Sequence, residues 1–118
     1  MFGAKHRNAA YRDLRKIDQA LLDRIVEMGD DLSQPRHTLL FFYQPKDGGR
    51  ATFSMVAAAA VERSLAVTRQ DDEAVIMEGQ LHVDPASIKS LVDWAMDLAE
   101  RANADFDGWE CAVIAAKH

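Results

Sequence analysis

Apolar residues near the start of the chain recur at intervals of three and four positions. This spacing predicts an amphipathic helix over residues 8–28. Its apolar stripe consists of Leu14, Ile17, Leu21, Ile25 and Met28. Gly29 follows in the position of a C-cap, and Pro35 interrupts the pattern a few residues later. The helix is therefore expected to end near Gly29, before a different kind of element begins.

Four later segments, residues 37–43, 66–69, 74–83 and 109–115, have the composition or alternation of strands. The first is apolar on both faces, with Leu39, Phe41 and Tyr43 on one and Leu40 and Phe42 on the other. That pattern predicts a central strand covered on both sides. The segment 74–83 alternates instead between an apolar face and a largely polar one.

Helical spacing returns in two further segments. Residues 52–65 place six apolar side chains on one face: Phe53, Val56, Ala57, Ala60, Val61 and Leu65. The second helix begins at Asp84, which is expected to be its N-cap because proline at position 85 suits the first helical turn. Its apolar stripe continues to Ala102, and Asn103 is expected to adopt a left-handed cap.

The order of these elements, β-α-β-β-α-β after an extra N-terminal helix, predicts an α+β ferredoxin-like fold. Such a fold has a four-stranded antiparallel sheet with both helices on one face. Apolar groups on the open face are expected from Leu40 or Phe42, Ile76 and Ile114. Residues 1–34 form the helix and lead-in, and residues 35–118 form the ferredoxin-like part of one structural unit. The N-terminal helix is expected to cover the sheet or its edge, or to pair with another chain.

The charge distribution narrows the class of partner. The 118 residues carry a net charge of −5, yet the first 16 hold five basic residues and one acidic residue, a net +4. The rest of the chain therefore carries −9, which disfavours sequence-independent nucleic-acid binding and favours a basic partner. A single cysteine, no secretory signal and no apolar run of membrane-spanning length lead us to expect a cytoplasmic protein without membrane contact.

The sequence contains no phosphate-binding loop and no metal-ligand spacing, and Cys111 is expected to face the core. We therefore predict no catalytic residue, no cofactor and no metal. Asp105 and Asp107 are the best remaining pair, but Gly108 follows too early for a calcium loop. Asp107-Gly108 is better interpreted as a turn that leads into a strand beginning at Trp109.

Three short segments resemble one bacterial family. Asp107-Gly108-Trp109 after the helix resembles the closing signature of the regulator of ribonuclease activity B family, and Gly29-Asp30-Asp31 resembles its lead-in, as does Pro35-Arg36-His37. The resemblance implies a non-catalytic ferredoxin-like domain that binds the endoribonuclease RNase E and inhibits it. Described members have a glycine after the tryptophan and an acidic C-terminal extension, whereas here Glu110 follows and the sequence ends Lys117-His118. Whether inhibition persists without that extension stays open.

Two groups of acids are candidate contacts for RNase E or another basic protein segment. They are Asp71, Asp72 and Glu73 in one turn, and Asp105, Asp107 and Glu110 around the other. Trp109 is a further candidate as an anchor, although a place in the core is the stronger expectation. An oligomerisation or small-molecule-binding domain that uses the open sheet face, including a homodimer, is the alternative. A small enzyme using Asp105, Asp107 or Glu110 is a third.

Overall fold

The computed structural model describes residues 9–116, in which the helices and strands follow the predicted order. We number them in chain order. They are α1 (Ala9–Arg12), α2 (Lys16–Glu27), β1 (Arg36–Tyr43), α3 (Phe53–Ala59), β2 (Ala66–Gln70), β3 (Ala74–Leu81), α4 (Pro85–Ala102) and β4 (Asp105–Cys111). A 3-10 turn, Ala60–Arg63, continues α3. Residues 1–8, 117 and 118 lie outside the described part of the chain.

The four strands form one antiparallel sheet in the order β2-β3-β1-β4. With the helices, this topology confirms the predicted α+β ferredoxin-like fold. Strand β1 is central, and its Leu40 and Phe42 are fully buried under the helices. Leu39, Phe41 and Tyr43 point to the opposite side and are only partly buried. The prediction that β1 is covered on both sides was therefore wrong, as was the placement of Leu40 or Phe42 on the open face.

Helix α4 supplies the largest share of the core. Its seven buried residues follow the predicted stripe: Ile88, Leu91, Val92, Ala95, Leu98, Ala99 and Ala102. Asp84 caps the helix as predicted, since its Oδ1 accepts the backbone N–H of Ser87 at 3.0 Å. Asn103 ends the helix with φ 55°, the predicted left-handed cap. The local signals at both ends were correct because each acts within one helical turn.

The N-terminal helix is two helices, with a break at residues 13–15. The amide of Gln19 stabilises this break by donating to the carbonyls of Tyr11, at 3.1 Å, and Leu14, at 3.0 Å. The break changes the buried face, so that Ile17 is 67% exposed although it belongs to the predicted stripe. Gly29 has φ 98°, the left-handed conformation expected just after a helix C-terminus.

Helix α2 packs on the helix side of the sheet, beside the edge strand β4. Its Leu22, Ile25 and Val26 belong to the same buried cluster as α4 and the inner face of the sheet. The indole N–H of Trp109 in β4 donates to Asp18 Oδ1 of α2 at 2.9 Å. Of the two expected arrangements, the structure therefore shows α2 covering the sheet near its edge.

Strand β4 begins four residues earlier than predicted and ends at Cys111 rather than at residue 115. The residues after it leave the sheet and run along the loop that follows α2, where Ala116 N–H donates to the carbonyl of Gly29 at 2.7 Å. Ile114 lies in this C-terminal segment and not on the open face, so its predicted position was wrong. Ile76 does lie on the open face, opposite Phe41.

Helix α3 is shorter than the predicted helix over residues 52–65. Its α-helical part stops at Ala59, and the following 3-10 turn rotates Val61 outward, where it is 78% exposed. Over residues 9–116, no helix combines the length and apolar character needed to cross a membrane.

Candidate protein-binding surface

The stretch Asp105-Phe106-Asp107-Gly108-Trp109 is part of β4 and contains a β-bulge. Phe41 pairs with Gly108 and Phe42 pairs with Phe106, so Asp107 is an extra residue without a partner on β1. Gly108 has φ 123°, a conformation that a residue with a side chain would adopt only under strain. The interpretation of Asp107-Gly108 as a turn before the strand was therefore wrong. Gly108 is needed for the bulge.

The topology brings the β2–β3 turn and the start of β4 to the same end of the sheet, whereas Glu110 pairs with Leu39 further along β1. Tyr43, the last residue of β1, pairs with Ala74 of β3 on one side and with Asp105 of β4 on the other. The turn with Asp71 directly precedes Ala74. Since neighbouring strands lie about 4.8 Å apart, Asp105 and this turn flank Tyr43 within roughly three strand widths. The sequence alone did not show that these acids are neighbours.

The acids in the β2–β3 turn differ in the hydrogen bonds and ion pairs that they form. Asp71 accepts the backbone N–H of Glu73 at 2.8 Å and of Ala74 at 3.0 Å, and it pairs with Arg69 at 2.6 Å. These bonds, the one from Arg69 foremost, hold the pKa of Asp71 below its usual value. Asp72 and Glu73 are exposed and form no ion pair in the described residues. Asp71 thus shapes the turn, which leaves Asp72 and Glu73 as the freer charges.

The three acids of β4 form no ion pair in the described part of the chain. Within residues 9–116, the carboxylates of Asp105, Asp107 and Glu110 take part in no ion pair and no side-chain hydrogen bond. Asp107 and Glu110 are exposed, and Asp105 is partly buried. On α4, by contrast, Asp93 pairs with Lys89 and Asp97 with Arg101. The edge strand therefore presents the unneutralised negative charge next to the aromatic residues of β1.

Trp109 is buried, with 6% of its surface exposed, so its ring lies in the core as the sequence favoured. Its partner Asp18 is 2% exposed and also receives two hydrogen bonds from the guanidinium of Arg15, at 2.7 and 2.9 Å. That guanidinium lies 5.5 Å from the centre of the Phe106 ring. The Asp18 side chain therefore joins α2 to β4 from the inside, and sequence periodicity gave no sign of this contact.

A fully buried charge pair connects two of the segments that carry the resemblance. Asp30, from Gly29-Asp30-Asp31, pairs with Arg36, and both side chains are 1% exposed. Asp30 also accepts the backbone N–H groups of Leu32 and Ile114, each at 2.8 Å. Burial alone would raise the pKa of Asp30, but the hydrogen bonds from Arg36, Ile114 and Leu32 outweigh it and lower that pKa. This pair was not predicted from the sequence, although an acid and an arginine six residues apart, with Pro35 between them, are a visible signal.

Two observations bear on a metal site and on a cysteine nucleophile in the described residues. Residues 9–116 contain no group of three or more histidine, cysteine or acidic side chains placed to hold a metal ion. Cys111 is partly buried, and burial raises the pKa of its thiol, which makes the thiolate scarcer at neutral pH. Cys111 pairs with the buried Thr38 and packs, partly buried, against the core, which is the face predicted for it.

Comparison with known proteins identifies one family. The family model described as "Regulator of ribonuclease activity B" matches residues 15–111, which include α2 and the whole sheet. A comparison with curated protein sequences finds no significant match. The matched range contains the Arg15–Asp18 and Asp30–Arg36 pairs and all seven candidate contact residues.

Proposed function

The chain belongs to the regulator of ribonuclease activity B family, and from this premise we propose that it is a non-catalytic inhibitor of RNase E. In this proposal it binds RNase E, or another basic protein segment, through the acidic end of its sheet. We define this acidic end as Asp72, Glu73, Asp105 and Asp107, and we include Glu110, which lies further along β4 opposite Leu39. Its action in the cytoplasm is part of the same proposal.

The observation that carries the proposal is the unneutralised charge of the edge strand. Three carboxylates of β4 form no ion pair among the described residues, and the chain beyond residue 16 carries a net −9. Such a surface attracts a basic protein segment and repels a phosphate backbone. We therefore expect this surface to regulate RNA decay by binding a protein rather than by binding RNA directly.

Binding to purified RNase E at two salt concentrations tests the proposal. At about 0.1 M salt the Debye length is about 10 Å, and at about 1 M it is about 3 Å, so binding should weaken strongly with salt. Calorimetry gives the affinity, and cleavage of an RNA substrate by RNase E gives the inhibition. Absence of both binding and inhibition at low salt would refute the assignment of RNase E as partner.

A matched pair of triple variants separates the acidic end from overall charge. The first variant, Asp105→Asn/Asp107→Asn/Glu110→Gln, removes the three unpaired charges of β4. The control, Asp13→Asn/Glu27→Gln/Glu62→Gln, removes the same number of charges from exposed acids that lie outside the β2–β3 turn, β4 and the groove between α4 and β4. We expect the first to weaken binding clearly more than the control. Equal losses would mean that only net charge matters.

The alternative function, self-association or small-molecule binding, is favoured by one observation. Leu39, Phe41 and Ile76 form a partly exposed apolar strip on the open face of the sheet. A homodimer would have a mass near twice 13.2 kDa in size-exclusion chromatography with light scattering. Ile76→Glu should then give monomers, whereas Ile114→Glu is no test because Ile114 lies outside the sheet.

A further inference from the structure

The bulge in β4 leaves a hollow on the open face of the sheet. This Gly108 hollow is lined by Phe41, Tyr43, Asp107, Gly108, Trp109 and Glu110 and has a volume of about 310 Å³. A side-chain carbon placed on Gly108 would meet no atom within 4 Å, so the space above the glycine is open. The glycine thus exposes the surface between the aromatic residues of β1 and the acids of β4.

The aromatic residues of β1 and the acids of β4 on either side of the hollow both attract cations. Phe41 and Tyr43 are two positions apart on β1, so both side chains lie on the open face, and both are partly exposed. Asp107 and Glu110 border the same hollow from β4, and neither carboxylate has an ion pair in the described residues. An aromatic face next to an unpaired carboxylate attracts a cation through both the ring quadrupole and direct charge.

A guanidinium group fits this combination better than an ammonium group does. Guanidinium is planar and weakly hydrated, so it stacks on an aromatic ring while its edge donates to a carboxylate. The chain already uses this arrangement on the inner side of the same strand. There, Arg15 lies 5.5 Å from the Phe106 ring centre and donates to Asp18 at 2.7 and 2.9 Å.

We infer that the Gly108 hollow binds an arginine side chain of the basic protein segment, which stacks on Phe41 or Tyr43 and pairs with Glu110 or Asp107. This inference rests on the proposed function for the identity of the partner, but not for the chemistry of the hollow. According to this inference, the open face distinguishes arginine from lysine. The proposed function alone requires only a negatively charged surface.

The test uses an oligo-arginine peptide and an oligo-lysine peptide of equal length, titrated into the full chain at low salt. Backbone amide shifts in NMR spectra locate the contact. We expect the arginine peptide to bind more tightly, with the largest shifts at Phe41, Gly108 and Glu110. The inference is wrong if the arginine peptide does not bind, if the lysine peptide binds equally well, or if the shifts centre on α4.

Two conservative variants test the aromatic side and the acidic side of the Gly108 hollow separately. Phe41→Leu keeps an apolar side chain but removes the ring, and Glu110→Gln keeps the shape but removes the charge. Each should lower the affinity for the arginine peptide about threefold to tenfold, which is the loss expected for an exposed cation–π contact or a charged hydrogen bond. Asp97→Asn on α4 is the control for charge and should change the affinity less than twofold. Unchanged affinity in both conservative variants, with the fold intact by circular dichroism, would overturn the inference.

The same variants distinguish failure of the hollow from failure of the proposed function. If RNase E binds the unaltered chain, and Phe41→Leu and Glu110→Gln leave that binding intact, the hollow is not the contact and the proposed function stands. If oligo-arginine binds in the hollow but RNase E does not bind the chain, the partner is wrong and the hollow stands.

Discussion

Removal of the Asp30 carboxylate tests the buried pair that joins three parts of the chain. Asp30 lies in the loop after α2, Arg36 begins β1, and Ile114 belongs to the C-terminal segment. Asp30→Ala removes the counter-charge of Arg36 and the acceptor for the N–H groups of Leu32 and Ile114. The cost then depends on whether water can reach the groups left behind.

The structure indicates that water cannot reach them easily. The Arg36 side chain is 1% exposed, and its remaining partners are the carbonyls of Gln34, at 2.9 and 3.1 Å, and of Ala112, at 3.2 Å. Carbonyl groups offset part of the desolvation of a guanidinium but do not neutralise it. Breaking a buried pair from one side costs about 3–5 kcal/mol. Since a typical domain has a free energy of unfolding of about 5–15 kcal/mol, this is a large fraction of the total.

Urea unfolding followed by circular dichroism measures the effect, with Asp93→Ala as the matched control. Asp93 pairs with Lys89 on the exposed side of α4, where a pair four residues apart contributes about 0.3–0.5 kcal/mol. A double-mutant cycle adds Arg36→Met and Asp30→Ala/Arg36→Met. The double variant should be less destabilised than the sum of the single variants, because it leaves no uncompensated buried charge.

The reasoning fails if Asp30→Ala destabilises the chain no more than Asp93→Ala does. That result would mean that Arg36 becomes solvated after the substitution, and that the C-terminal segment separates from the helix-exit loop at little cost. Additive losses in the cycle would also contradict it, because they would show that the two side chains are not coupled.

Three further predictions concern the frame that positions the acidic end. Trp109→Phe should lower the free energy of unfolding by about 1.5–3 kcal/mol in urea, because Asp18 loses a buried donor to a charged acceptor; a change below that of Asp93→Ala would contradict this. Asp84→Ala should lower the free energy of unfolding by about 1 kcal/mol, because it removes the N-cap of α4, whereas Asp84→Asn should retain most of that stability; thermal unfolding measures both. Lowering the pH should destabilise the chain below about pH 3.9 in acid titration, because the pKa of Asp30 is lower folded than unfolded, and Asp30→Asn should reduce that dependence.

Local signals explain which parts of the fold could be predicted from the sequence. The helix α4 begins and ends where Asp84, Pro85 and Asn103 indicate, because caps act over a few neighbouring residues. The order of elements was also sufficient for the sheet topology, since a split βαβ pattern has few compatible arrangements. The start of β4 could not be predicted in the same way. Aspartate and glycine are depleted in strands, so Asp107-Gly108 indicated a turn where the chain forms a bulge.

The buried charged residues are the feature of the fold that hydrophobic periodicity could not predict. Asp18 lies within the apolar stripe of the predicted helix, four residues after Leu14, and Asp30 lies in the loop after that helix; they are 2% and 3% exposed. Each is stabilised by a partner supplied by tertiary packing, and Trp109 is 91 positions away from Asp18 in the sequence. Hydrophobic patterns rank an isolated aspartate as exposed because an unpaired buried charge is costly. The pairing removes that cost, and apart from the nearby arginines at positions 15 and 36 it leaves no trace in the hydrophobic pattern.

The inner contacts of β4 fix what its outer face presents. Side chains alternate along a strand, so the bond from Trp109 to Asp18 on the inside requires that Gly108 and Glu110 face the open side. A slip of one residue would bury Glu110 and expose the indole, which would cost both the buried hydrogen bond and the desolvation of a carboxylate. Helix α2 therefore does more than cover the edge of the sheet: through Asp18 it sets the register that places the bulge, and with it the Gly108 hollow, opposite Phe41.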